Sequence, residues 1–265
     1  MNKLFFFIFS LTIILNSCTE KHNVEPNIYL PGYKLVFQDE FDNSPLDTTV
    51  WGFHNLGKRR DAINIKEACL INQEGALEIR NWTETSDTSS IHYAGMIESK
   101  ERFTFGYFES RIKFDIEPGT WGAFWIMYDN FQRLFSEIDN PIELGTEIDI
   151  IEFVPQDNNY GVHNLHWNGY GEFHKTVGSG KLMNGKLEGY HIYSLLWTPE
   201  EYIFYIDGIE TWRTKEGISH APEYVILSTE IQDKGWAGNI PTNGYGTFND
   251  TRNKMFVDYI RIYQN

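Results

Sequence analysis

The chain has 265 residues, with 22 Lys and Arg against 37 Asp and Glu, for a formal net charge of −15. Such a balance argues against nucleic acid and anionic membrane surfaces as partners, and it disfavours strongly acidic polymers as ligands. Aromatic residues make up 16% of the chain, which is enough to fill a core and still leave flat rings for a surface.

The first 17 residues read as a signal peptide. Lys3 precedes an apolar run, Leu4 to Leu15, that is too short to span a bilayer, which takes ~20 residues. The run ends in Leu15-Asn16-Ser17-Cys18, which resembles the bacterial lipobox, where the cysteine is lipidated and becomes the mature N-terminus. An exported lipoprotein held through Cys18 at the outer membrane or cell surface, or in the periplasm, is therefore expected. Residues 18–32 are polar and carry two prolines, the composition of a tether. With Cys18 acylated, Cys69 is left without an intramolecular disulfide partner and reads as a small buried hydrophobe.

From Tyr33 onward the apolar period is two. Phe105 to Phe114 alternates apolar with polar, and so does Tyr202 to Ile206 before the hairpin turn Asp207-Gly208. Met255 to Tyr263 reads as a last strand. No segment shows a sustained helical period with caps, and no repeat or second domain is visible. Residues 33–265 are thus expected to form one all-β domain, an antiparallel β-sandwich.

The segment that carries chemistry is Gly145-Thr146-Glu147-Ile148-Asp149-Ile150-Ile151-Glu152-Phe153. On a regular strand Glu147 and Asp149 share one face, while Glu152 falls on the other and enters the core. An unpaired buried carboxylate is costly there, and one β-bulge near Ile150-Ile151 returns Glu152 to the acidic face. Three carboxyls in the order long, short, long suit retaining glycoside hydrolysis, which needs a nucleophile and a general acid/base ~5–5.5 Å apart. Crowding raises at least one pKa, so that an acid stays protonated near neutral pH. Ser136-Glu137-Ile138-Asp139 repeats half of the pattern but runs into Asn140-Pro141, and it is read as loop.

The carboxyl pattern and its flanks resemble glycoside hydrolase family 16 over Lys34 to Gln264. Glu147, Asp149 and Glu152 match the family's bulged E-x-D-x-x-E signature of laminarinase-like members. Leu35 to Asp42 with Leu46 and Trp51, Gly106 to Lys113, Trp121 to Trp125, Trp197-Thr198-Pro199 with Asp207-Gly208, and Val257 to Tyr263 match its other blocks in order. The resemblance implies a concanavalin A-like β-jelly roll with an open concave cleft. It makes Glu147 the nucleophile, Asp149 its electrostatic and proton partner, and Glu152 the acid/base. It also implies an endo-acting hydrolase without a catalytic cofactor, working on a β-linked polysaccharide. A β-1,3- or mixed-linkage glucan is the first choice, and β-galactan or host-glycan chains the alternative. A non-catalytic, lectin-like glycan binder and a transglycosylase are the rival readings, and a pure binder gains nothing from packed like charges. No protein partner is expected, so the domain is read as a monomer.

Around the carboxyls, Trp121 and Trp125 share a strand face, and the resemblance assigns both to the cleft. His166 and Trp167 on the following strand are further candidates, as are Glu230, Trp236 in a glycine-flanked loop, and Arg60 in the only dense basic cluster. His163, His166 and His174 are not expected to hold a metal, because no further ligand sits at suitable spacing. The resemblance also implies a structural Ca²⁺ away from the cleft, with Glu40, Gly75 and Asp258 as its oxygen donors.

Overall fold

The computed structural model describes residues 26–129, 140–156, 159–182 and 188–265. The expected signal peptide, the expected anchor at Cys18 and the segment 136–139 read as loop lie outside these residues.

In chain order the first strands are β1 (Lys34–Asp39), β2 (Trp51–Phe53), β3 (Gly57–Arg59), β4 (Ala62–Asn64), β5 (Cys69–Ile71), β6 (Leu77–Arg80) and β7 (Trp82–Thr85). Next come β8 (Ser90–Ala94), β9 (Met96–Ser99), β10 (Gly106–Asp115), β11 (Thr120–Met127), β12 (Glu147–Val154) and β13 (Tyr160–Trp167). The last are β14 (Lys175–Gly178), β15 (Tyr190–Trp197), β16 (Tyr202–Ile206), β17 (Ile209–Thr214), β18 (Tyr224–Ile231) and β19 (Lys254–Gln264). Helix among the described residues is limited to a 3-10 turn at Lys66–Ala68 and the four-residue α1 (Pro141–Leu144). Asn140 caps α1 by accepting from the Glu143 N–H, and Pro141 opens its first turn, where a missing N–H costs nothing.

Two antiparallel sheets form the sandwich. One runs β17-β16-β15-β10-β19-β6-β5, with β1 also paired to β19; the other runs β14-β13-β12-β11-β18-β9-β2. A smaller sheet, β3-β4-β8-β7, flanks them. Strand alternation drives the assembly. Phe108, Ile112, Leu195, Val257 and Ile260 from the first sheet meet Phe124, Ile148, Ile151, Phe153 and Leu165 from the second in one buried cluster. Phe114 and Phe153 stack across the interface with ring centroids 4.9 Å apart. The expected β16–β17 hairpin forms with Ile206 opposite Ile209, and Asp207 and Gly208 both take positive φ. Cys69 is free and buried in this core. Asn27, within the expected tether, donates its backbone N–H to Glu109 on β10.

Candidate active site

The chemistry is set by one irregularity in β12. Against β11, Phe124 pairs with Ile151 and Trp125 with Asp149, so Ile150 has no partner. Against β13, Asp149 pairs with Asn164 and Glu152 with Val162, so Ile150 and Ile151 together oppose His163. This is the two-against-one count of a β-bulge. It puts Ile148, Ile150 and Ile151 in the core and returns Glu152 to the face that holds Glu147 and Asp149. The bulge expected from the spacing is where the register breaks.

The neighbouring strands complete the face. Trp121, Ala123 and Trp125 of β11, Asn164 and His166 of β13, and Ser228 and Glu230 of β18 line one cleft of roughly 1270 Å³ with the three carboxyls. Asn164 donates to Glu152 Oε2 at 2.7 Å. A Cβ on Gly178 of β14 would sit 2.2 Å from Asn164 Oδ1, so a glycine is required beside that amide. Tyr170, in the loop after β13, donates its hydroxyl to Glu147 Oε1 at 2.5 Å. Glu147 Oε2 is buried and has no hydrogen-bond partner among the described residues. Oxygens of Glu147 and Asp149 and a ring nitrogen of His166 lie within 4.8 Å of one another.

Burial and mutual repulsion act together on the carboxyls. Burial pushes Glu147 up to about 8, against the pull of the Tyr170 hydrogen bond. Burial also raises Glu152 to about 7, opposed by the Asn164 amide, and it drives Asp149 well above the usual carboxylate range. Protons on groups this close belong to the cluster rather than to one residue. The cluster can therefore keep one carboxyl protonated and another ionised near neutral pH, as an acid and a nucleophile require.

Trp121 and Trp236 meet edge to face at 5.7 Å on the cleft wall, and the Arg60 guanidinium lies 4.9 Å from the Trp121 ring centroid. Trp121 and Trp125 are both buried, and the Trp125 indole N–H donates to Ser228 Oγ. Glu230 takes Arg59 at 2.7 Å on one oxygen and Arg60 on the other, so it braces both arginines against β18. His166 bonds His174 ring to ring at 3.0 Å, and burial lowers the His166 pKa to about 4.

Two expectations change. Trp167 is not a cleft residue: alternation sets it opposite to His166, and it packs in the core against Gly217. The calcium set does not fit a cation. Both Glu40 oxygens are engaged by Arg261, and Asp258 pairs with Arg111 at 2.7 Å, so both carboxylates are already neutralised. The three histidines do not converge either, because His163 faces the core and bonds Ile150 and Thr211. Asn164, Tyr170 and Ser228 are not among the candidates the sequence offers. Asn164 was within reach, since it shares a strand face with His166; Tyr170, on a loop, gave no periodic signal.

The chain is 29% identical over 175 residues to endo-1,3-1,4-beta-glycanase ExsH of Rhizobium meliloti, covering 64% of this chain and 33% of that protein. It is 27% identical over 249 residues to a keratan-sulfate endo-1,4-beta-galactosidase of Sphingobacterium multivorum, covering 88% and 55%. The chain thus spans about a third to a half of these relatives' length. The laminarinase catalytic domain of Thermotoga maritima shares the fold, with a TM-score of 0.67 at 22% identity over 88% of this chain and 98% of that one. The family model for glycosyl hydrolases family 16 matches residues 58–261, which takes in β11, β12 with its bulge, β13 and β18. By that match the chain belongs to glycosyl hydrolases family 16.

Proposed function

We propose that this chain is an endo-acting β-glycosidase that cleaves a β-linked polysaccharide with retention of configuration. The observation that carries the reading is the bulge at Ile150, which gathers Glu147, Asp149 and Glu152 on the floor of an open cleft. Glu152 protonates the glycosidic oxygen while Glu147 attacks the anomeric carbon. Water, deprotonated by Glu152, then releases the sugar. Asp149, between them, tunes the shared charge. No cofactor enters these steps.

An open cleft admits the interior of a chain, and the exposed ring of Trp236, backed edge to face by Trp121, offers an aromatic face for a sugar ring. A β-1,3- or mixed-linkage glucan is the first substrate, supported by the Rhizobium relative's name. A β-galactan or host-glycan chain is the second reading, favoured by the galactosidase that matches 88% of this chain. The test is a panel of laminarin, mixed-linkage glucan, agarose-type galactan and keratan-type glycan, with products resolved by chromatography. Short oligosaccharides from one glucan support the first choice, and oligosaccharides from a galactan alone support the second. No product from any of them contradicts the enzyme reading. We further propose that residues 1–17 are removed, that residues 18–32 tether the domain, and that lipidated Cys18 holds it as a monomer at the outer membrane or cell surface.

A further inference from the structure

The two oxygens of Glu147 are not equivalent. Oε1 accepts the Tyr170 hydroxyl at 2.5 Å, whereas Oε2 is buried with no partner among the described residues. A buried carboxylate oxygen without a donor is costly unless another group uses it. Tyr170 sits in a turn between β13 and β14, where its ring packs against His166 at 5.7 Å and His174 at 5.1 Å. Those two rings are themselves joined by a hydrogen bond, so the phenol is held at a fixed height over the carboxylate.

From this asymmetry we infer that Tyr170 is a positioning residue of the proposed reaction: it holds Oε1 of Glu147 and leaves Oε2 as the atom that attacks. In the first step an Oε2 lone pair forms the bond to the anomeric carbon. The glycosidic C–O bond breaks, its electron pair stays with the leaving oxygen, and that oxygen takes the Glu152 proton. Oε1 becomes the acyl carbonyl, still facing Tyr170, which keeps its own proton throughout. In the second step water bonds to the anomeric carbon and gives its proton to Glu152, and the C–Oε2 pair returns to Glu147. A phenol donates more strongly to a carboxylate than to an ester carbonyl, because only the former is charged. Tyr170 therefore favours the ionised nucleophile before attack and its departure afterwards.

The inference rests on the proposed glycosidase reading, and its test separates the two. The groups facing Glu147 are Asp149, Glu152, Glu230, Arg59, His166 and the phenols of Tyr128 and Tyr224. Tyr170→Phe leaves all of them in place and removes one hydroxyl from an exposed side chain, so the fold should persist. The ¹³C carboxyl signal of Glu147, assigned by its loss in Glu147→Gln, is titrated in the full chain with and without Tyr170→Phe. The expected result is a Glu147 pKa raised by about one to two units in the variant. The acidic limb of kcat/KM should move up by the same amount. An unshifted Glu147 titration overturns the inference, and so does an activity loss with an unmoved acidic limb, which would leave Tyr170 a packing role. If the wild-type chain cleaves none of the glycans, the glycosidase reading fails while the titration still decides whether the hydroxyl holds Glu147.

Discussion

His163 Nδ1 lies 2.5 Å from the carbonyl oxygen of Ile150, the residue that β11 leaves unpaired. The carbonyl only accepts, so Nδ1 carries the proton, and Nε2 accepts from the Thr211 hydroxyl at 2.8 Å. Burial drives the His163 pKa down to about 3, which keeps the ring neutral at any working pH. A bulge frees a backbone group from the ladder, and here an imidazole from the facing strand satisfies it inside the core.

His163→Leu should therefore destabilise the chain by about 1–3 kcal/mol, the cost of a buried polar group left without its partner. For a domain of this size that is roughly 2–4 °C of Tm per kcal/mol, read from thermal unfolding by circular dichroism. Because the bulge aims Glu152, kcat should also fall about tenfold or more. A variant with the wild-type Tm would show that the bulge holds without the histidine.

Glu223 yields a pH-dependent expectation. It is buried beneath Thr146, accepts from the Thr146 N–H and the Ser219 hydroxyl on one oxygen, and is pushed by burial up to about 8. A carboxyl raised in the folded state binds a proton that the unfolded chain has already released. Its contribution is therefore present below the unfolded value of about 4.3 and is lost as pH rises toward 8. Glu223→Gln keeps the accepting oxygen and removes the charge. Its Tm should match wild type near pH 4 and exceed it at pH 9; a lower Tm at pH 9 would contradict this sign.

The lipid anchor has its own test. Cys18→Ala should move the protein from the detergent phase to the aqueous phase without loss of glycan cleavage, since the cleft is built from β3, β11, β12, β13 and β18. Equal partitioning of the two forms would remove the anchor from the account.

The two glutamates should respond differently to removal. Glu147→Ala should abolish hydrolysis, and azide, filling the vacated space, should restore turnover with a glycosyl azide of inverted configuration. With Glu152→Ala, a substrate bearing a good leaving group should still form the glycosyl-enzyme, because no proton is needed. Azide should then release a product of retained configuration. The opposite pairing of products, read by NMR, would exchange the roles.

Much of this was legible in the sequence because strand alternation is strict. The period of two in Gly106 to Phe114 and the Asp207-Gly208 turn located β10 and the β16–β17 hairpin. The mismatch between Asp149 and Glu152 demanded a bulge, and the register breaks there. Alternation also held the answer for Trp167, whose neighbour His166 faces the cleft, so both residues could not have faced it. Pairing across distant segments was out of reach. Nothing in the spacing tells that Arg59 and Arg60 close on Glu230, that Arg261 takes Glu40, or that the Tyr170 loop folds back over Glu147. Such contacts depend on where loops land, and no periodicity encodes that.

The central claim is that Glu147 forms a covalent bond to the sugar that water later breaks from the same face. The most direct measurement is proton NMR of the wild-type chain acting on its best polysaccharide from the panel, following the anomeric signals before mutarotation. First-formed reducing ends in the β configuration are expected. First-formed α reducing ends would contradict the double displacement and the nucleophile assigned to Glu147.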